Sequence, residues 1–140
     1  MSYTFPTTKN MVKARSTLSI SRKHATIVCK KINRKTYKNA REIVEGLAYE
    51  KKSIEGKYYT KTSTELLKFL KTLNSNAEAK NLDASKMKLM ISAHKGPTLM
   101  RARRKWRFGR KMKICKVQAV LKGEKDSTRK SIHKKSNKKA

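Results

Sequence analysis

Positively charged side chains and aromatic rings are interleaved in one short stretch of this chain. Between Arg101 and Lys111 there are seven Arg or Lys residues, with Trp106 and Phe108 among them and Gly109 near the expected turn. Guanidinium groups form paired hydrogen bonds with phosphate oxygens, and an indole ring can stack on an unpaired base or be covered by an arginine. A segment this positive repels itself unless water or a polyanion takes up the charge. The pattern therefore predicts that this stretch binds a polyanion.

Residues that could support catalysis or hold a metal are few. Three histidines occur without a Cys or carboxylate at metal-ligand spacing, so we expect surface positions or RNA contacts for them: His24, His94 and His133. Glu42 and Glu45 lie one helical turn apart, but the basic residues beside them indicate helix ion pairs rather than acid–base chemistry. The five glycines form no phosphate-cradling loop. We therefore expect no enzymatic activity, no cofactor, no metal and no small-molecule substrate.

The composition of the whole chain favours nucleic acid as the partner. There are 38 Lys and Arg against 9 Asp and Glu, a formal net charge of +29 over 140 residues. This length has room for one domain. Cys29 and Cys115 form no C-x-x-C pair, and we expect buried free thiols in a reducing compartment. No apolar run approaches the ~18 residues of a membrane-spanning helix, and the N-terminus lacks a secretory signal pattern, so we expect a soluble intracellular protein.

Two apolar arms flank the cationic stretch. Met87–Ala93 leads into it and Lys113–Leu121 leads out of it, which predicts a long β-hairpin over residues 87–121 rooted in a sheet. Two other interpretations are a basic amphipathic helix and a charge run that is merely solvated. The helix would mix apolar and charged residues on one stripe and would contain Gly109. The aromatic rings argue against simple solvation.

The rest of the chain predicts three helices and one more strand. A short strand covers 13–21, and Ser21 is a candidate N-cap for a helix over 22–32. Thr36 is a candidate cap for a second, strongly amphipathic helix. Thr62–Glu65 fits a capping box for a third helix that ends near residue 80. This order predicts an α+β fold, with helices on one face of a small antiparallel sheet.

The predicted organisation has three parts. Residues 1–12 form an extended N-terminal arm, and residues 13–122 form a single globular domain that includes the hairpin. Residues 123–140 form a basic tail with too few apolar groups to order itself.

Several short motifs, in this order, resemble one protein family. They are Lys13–Arg15, Ser21–Ala25, Asn76–Asp83, His94–Thr98, Arg101–Arg103 and Gly109–Arg110. The sequence thereby resembles the universal large-subunit ribosomal protein number twenty-two, called seventeen in eukaryotic large subunits. The stretch from Asn76 to Asp83 is more similar to the archaeal and eukaryotic branch than to the bacterial one.

The resemblance implies three helices on a three-stranded antiparallel sheet with a long hairpin. It implies a structural constituent of the large ribosomal subunit that binds ribosomal RNA, with the hairpin lining the peptide exit tunnel to support assembly and translation. The implied partners are large-subunit ribosomal RNA, neighbouring ribosomal proteins and the nascent polypeptide, with no membrane. The implied location is the cytoplasmic ribosome, with assembly in the nucleolus if the source is eukaryotic.

We expect RNA contacts from basic residues in the matched motifs, at the start of the third helix and along the hairpin. They are Lys13, Arg15, Arg22, Lys23, His24, Lys61, Lys95, Arg101, Arg103, Arg104, Lys105, Arg107, Arg110, Lys111 and Lys113. The hairpin tip, which we expect to face the tunnel or to stack on bases, comprises Arg104, Trp106, Phe108 and Gly109.

Two other functions remain open at this stage. A free-standing nucleic-acid binder, such as a chromatin or RNA-chaperone protein, shares the charge but does not need a long hairpin with matched arms. A nuclease is the weakest hypothesis, because the carboxylates are few and are explained by helix ion pairs.

Overall fold

The computed structural model describes residues 3–7, 11–103 and 106–123, which form three helices and three strands. Strand β1 (Val12–Leu18) is followed by helices α1 (Arg22–Ile32), α2 (Tyr37–Ala48) and α3 (Thr60–Glu78). A short 3-10 turn (Ala84–Lys86) leads into β2 (Lys88–Lys95), and β3 (Cys115–Lys122) follows the hairpin. The predicted α+β class and the element order are confirmed. The tail from residue 124 onward lies outside the described residues.

The sheet has the order β1-β3-β2, with both pairs antiparallel. Strand β3 pairs from Val12↔Leu121 to Leu18↔Cys115 on one side, and from Lys88↔Lys122 to Lys95↔Cys115 on the other. It is also the most deeply buried strand, since every residue from Val117 to Leu121 is buried. An apolar strand that is hydrogen-bonded on both edges is the expected centre of a small sheet.

The three helices cover one face of this sheet with the apolar stripes that the sequence indicated. On α1 the buried residues are Ala25, Val28, Cys29 and Ile32, which recur at i, i+3, i+4 and i+7 and so share one helix face. On α2 and α3, Leu47, Leu66, Leu70 and Leu73 are almost completely buried. Each such side chain contributes about 1.5–3 kcal/mol to the free energy of unfolding. The Tyr37 hydroxyl joins α2 to α3 by donating to the carbonyl of Leu70 at 3.0 Å.

Both edges of the sheet are covered by polar contacts from the helical layer. At the β1 edge, Asn76 Nδ2 on α3 donates to the carbonyl of Lys13 at 3.1 Å, and Lys80 Nζ donates to that of Met11 at 2.9 Å. At the β2 edge, the α1–α2 connection exchanges backbone hydrogen bonds with Leu89, and Asn33 Oδ1 accepts from the Ile91 N–H. Covered edges are protected against pairing with another chain. The motif around Asn76 therefore has a structural role in this fold.

The helix starts differ from the sequence prediction in one important respect. Ser21 and Thr36 occupy the predicted N-cap positions, but neither side chain makes a capping hydrogen bond. The predicted capping box at Thr62–Glu65 is wrong, because the N-cap of α3 is Tyr59, three residues before Thr62 and in the left-handed region (φ 51°). Ser63 thereby lies inside the helix, fully buried, and its Oγ has no hydrogen-bond partner among the described residues. Packing of α3 against the sheet outweighed the local capping preference.

The N-terminal arm lies across the face of the sheet that the helices leave uncovered. The Thr4 N–H and hydroxyl both donate to Gln118 Oε1, at 3.2 and 3.1 Å, and the hydroxyl lies 2.8 Å from His94 Nε2. The Arg15 guanidinium lies 5.8 Å from the centre of the Tyr3 ring, a cation–π distance. The described part of the arm is therefore attached to β1, β2 and β3 by side-chain contacts.

The two cysteines are free and buried, as predicted. Burial raises the pKa of the Cys29 thiol from 9.0 to about 12, and the nearby Cys115 thiol adds to the rise. Burial also raises the pKa of Cys115. Because the thiolate is the reactive species, neither thiol is suited to nucleophilic chemistry in the folded protein.

Replacing Asn76 with Ala should lower the free energy of unfolding by about 1–2 kcal/mol, because the Lys13 carbonyl at the β1 edge loses its donor. Asn74→Ala on the same helix is the matched control. It removes only an exposed contact to Glu78, and we expect a loss of about 0.5 kcal/mol or less. Urea unfolding followed by circular dichroism measures both changes. Equal losses would contradict the edge-covering role.

Native protein should react with iodoacetamide very slowly at pH 8, where a thiol of pKa about 12 has about a thousandfold less thiolate than one of pKa 9.0. Both cysteines should become alkylated in urea. Mass spectrometry of the native and the urea-treated protein measures the alkylation of each cysteine. Fast alkylation of Cys29 without denaturant would show that the core is open.

Candidate nucleic-acid interface

Acidic residues are confined to one part of the chain. The stretches 1–41 and 84–123 contain no Asp or Glu, and seven of the nine acidic residues lie between Glu42 and Asp83. Those seven belong to α2, α3 and the loops beside them. The three strands, α1 and the hairpin therefore contain Lys and Arg but no Asp or Glu. A surface of one charge sign attracts a polyanion from a distance and orients it.

A cleft of ≈ 540 Å³ with no acidic residue in its lining lies between the hairpin and the starts of two helices. From the globular domain it is lined by Ser19, Ile20, Ser21, His24, Lys61 and Thr62. From the hairpin it is lined by Arg101, Arg107, Arg110, Lys111, Met112 and Lys113. We refer to these twelve residues as the basic cleft. It brings five Arg or Lys side chains of the hairpin to the same space as Lys61 and His24.

The backbone at the start of α1 and α3 adds to the positive potential of the basic cleft. The first N–H groups of a helix lack intrahelical partners and carry the positive end of the helix dipole. Neither α1 nor α3 has an acidic residue in its first turn, and neither N-cap side chain makes a capping hydrogen bond. Ser21, at the start of α1, and Lys61 and Thr62, at the start of α3, line the same cleft. Phosphate groups suit such a combination of amides and cations.

The hairpin outside the sheet is held in shape by a few backbone contacts. Regular pairing ends at Lys95↔Cys115, and further out Met100 and Lys111 form an isolated bridge. The Arg101 N–H donates to the Arg110 carbonyl at 3.1 Å, and the Arg110 N–H donates to the Arg107 carbonyl at 3.2 Å. These contacts hold the backbones of the three arginines that line the cleft close together.

A glycine makes the turn at the hairpin tip possible. Gly109 has φ +74°, and it is the third residue of the turn that the Arg107–Arg110 hydrogen bond closes. Such a turn, with positive φ at its third position, is of type II and favours Gly there. The sequence therefore placed the turn correctly.

The aromatic residues of the tip are exposed. Trp106 is 81% exposed and Phe108 is 59% exposed. The Arg107 guanidinium lies over the Trp106 ring at 4.4 Å from its centre, and that of Arg110 lies 6.0 Å away. Neither ring belongs to the hydrophobic core of the described residues. Their side chains are therefore available to a partner.

The other described residues that were predicted to contact RNA lie outside the cleft. Arg22 and Lys23 are exposed in the first turn of α1, Lys95 is exposed within the His94–Thr98 motif, and Arg103 is exposed on the hairpin. Lys13 and Arg15 lie on β1, which pairs with β3, and Arg15 contacts the Tyr3 ring. Two further predicted residues, Arg104 and Lys105, lie outside the described residues.

Sequence reasoning missed the contribution of small polar residues to the cleft. Ser19, Ser21 and Thr62 line it beside the cations. The available signal was the run of Ser and Thr before each helix, which we interpreted as capping. That two of the helix starts meet at one cleft depends on how α1 and α3 pack, and no local pattern encodes this.

Other kinds of site have no support in the described residues. No group of three or more His, Cys, Asp or Glu residues there could hold a metal ion. His24 packs edge-on against Tyr59, with ring centres 5.1 Å apart, and His94 contacts Thr4 and Ser92. None of the helices in the described part of the chain is long and apolar enough to cross a membrane.

Comparison with known proteins identifies the family of this chain. A model of the family described as ribosomal protein L22p/L17e matches residues 13–122, a segment that contains the three helices, β2, β3 and nearly all of β1. A search of curated proteins returned no match. Because the family model covers most of the chain, the chain belongs to the ribosomal protein L22p/L17e family, whose members are structural, non-enzymatic proteins of the large ribosomal subunit.

Proposed function

We propose that this protein binds large-subunit ribosomal RNA through the basic cleft and the hairpin, and that the hairpin lines the peptide exit tunnel. The observation that carries RNA binding is the cleft, where Arg101, Arg107 and Arg110 meet the starts of α1 and α3 and none of the twelve lining residues is acidic. Tunnel lining rests on membership of the family together with the projecting cationic hairpin.

The mechanism is neutralisation and positioning rather than catalysis. Phosphates of an RNA strand enter the cleft, where guanidinium forks and helix N–H groups replace their counterions. Phosphate contacts of this kind fix the orientation of a protein on RNA without reading its sequence. The rigid sheet at the root of the hairpin then determines where the tip lies. The protein thereby holds RNA segments in a fixed arrangement around its hairpin.

The same proposal assigns partners and location. The basic residues outside the cleft, among them Lys13, Arg15, Arg22, Lys23 and Lys95, contact further phosphates. The α2–α3 layer, which contains the carboxylates, faces solvent or neighbouring ribosomal proteins. The tip lies beside the nascent polypeptide in the tunnel. The protein works in the cytoplasmic ribosome and, in a eukaryote, joins the subunit in the nucleolus.

A double substitution in the basic cleft should block entry into the subunit. Arg101→Glu with Arg110→Glu places negative charge against phosphate, so we expect a severalfold loss of tagged protein from large subunits in a high-salt sucrose gradient. Lys38→Glu with Lys71→Glu makes the same charge change on exposed positions of α2 and α3 and should incorporate normally. Equal incorporation of both variants would contradict the role of the cleft. Circular dichroism checks that both variants fold.

Binding of the free protein to RNA should depend steeply on salt. For each phosphate contact, the slope of log affinity against log salt concentration changes by about 0.7 for a single strand and about 0.9 for a duplex. Arg110→Gln should therefore reduce the slope by roughly 0.7–0.9, whereas Lys71→Gln should leave it unchanged. Fluorescence anisotropy of a labelled RNA measures both slopes. A flat salt titration of the unsubstituted protein would exclude electrostatic binding in the cleft.

A further inference from the structure

The only tryptophan of the chain lies at the hairpin tip, and no contact with the hydrophobic core of the described residues accounts for its position there. Trp106 is 81% exposed, although indole is among the largest apolar groups in proteins. Nearby, Phe108 is also exposed, and the turn closed by Arg107 and Arg110 keeps both rings outside the core. A large exposed aromatic side chain in a basic segment is a typical platform for nucleic-acid bases.

The Trp106 ring is stacked against Arg107 and is otherwise largely exposed. The Arg107 guanidinium lies over the ring at 4.4 Å from its centre, which is a favourable cation–π arrangement. The side chain is 81% exposed even with the Arg107 and Arg110 guanidinium groups near it, so most of the ring surface remains open to solvent. Arg107 fixes the orientation of the indole and increases the positive charge around it. The exposed ring surface can accept a flat ligand.

The residues that contact Trp106 are also residues of the basic cleft. Arg107 and Arg110 both line the cleft, and their guanidinium carbons lie 4.4 and 6.0 Å from the indole centre. A phosphate held by these two arginines would therefore place its own nucleotide beside the exposed indole. Phosphate and base of one nucleotide would be bound by adjoining groups.

We propose that Trp106 stacks on an unpaired base of RNA whose backbone phosphate is held by Arg107 and Arg110. This inference rests on the proposed RNA binding of the cleft and specifies its ligand as a single-stranded nucleotide. In an RNA duplex the faces of each base are covered by the neighbouring bases, so the indole cannot stack there without unstacking them. The tip thus selects a loop, a bulge or a flipped-out base, which is how proteins commonly recognise RNA.

Because Trp106 is the only tryptophan, its intrinsic fluorescence reports directly on the tip. The full-length protein is titrated with single-stranded oligoadenylate, with a blunt RNA duplex and with inorganic polyphosphate, which carries the charge without bases. We expect strong quenching by oligoadenylate and little by the other two. Competition with a labelled RNA, followed by anisotropy, establishes separately that the duplex and the polyphosphate bind.

Two variants test the stack by affinity. Trp106→Leu keeps an apolar side chain but removes the aromatic face, and it should weaken oligoadenylate binding about 5- to 100-fold with an unchanged salt slope. Trp106→Phe should recover part of the loss, and Phe108→Leu is the neighbouring control, with a smaller effect.

Three results would overturn the inference. Equal quenching by polyphosphate would mean that charge alone perturbs the indole. RNA binding that leaves the Trp106 fluorescence unquenched, together with full affinity of the Trp106→Leu variant, would exclude base stacking but leave the proposed function intact. No binding of any RNA would overturn both.

Discussion

Strand β3 holds the two ends of the domain together. It pairs with β1, at the start of the globular part, and with β2, the outgoing arm of the hairpin, and its residues from Val117 to Leu121 are buried. The hydrogen bonds of these two ladders and the apolar surface of one strand therefore fix both the helical layer and the root of the hairpin. Without this root, repulsion between the like charges of the hairpin tip would push its two arms apart. Because the root is rigid, the position of the tip follows from the core.

The second feature that organises the molecule is the separation of charge. Acidic residues are restricted to α2, α3 and the adjoining loops, apart from two beyond residue 123. Ion pairs such as Arg41–Glu45 and Lys68–Glu65 belong to that layer, and being exposed they add little to stability. The hairpin, the strands and α1 contain no Asp or Glu of their own. Binding of a polyanion to their cations would stabilise the folded state by mass action.

Agreement between prediction and structure is best where a local pattern has one physical solution. The buried positions of α1 follow from 3.6-residue periodicity, which places residues i, i+3, i+4 and i+7 on one helix face. The type II turn follows from Gly109, because few other residues adopt φ +74° without strain. Capping was less well predicted. Ser21 and Thr36 stand at the right positions without capping bonds, and α3 begins before the expected box, because tertiary packing outweighs a preference of about 1 kcal/mol.

The sequence by itself indicated the class of fold, the basic hairpin and the kind of ligand, because charge composition and residue spacing do not depend on contacts between distant parts of the chain. Tertiary structure alone decided that Ser21 and Thr62, 41 residues apart in the numbering, line one cleft with arginines of the hairpin. It also decided that Asn76 and Lys80 on α3 cover the β1 edge. Each of these contacts joins elements whose distance is set by core packing, and packing depends on the side chains of the helices and the sheet together.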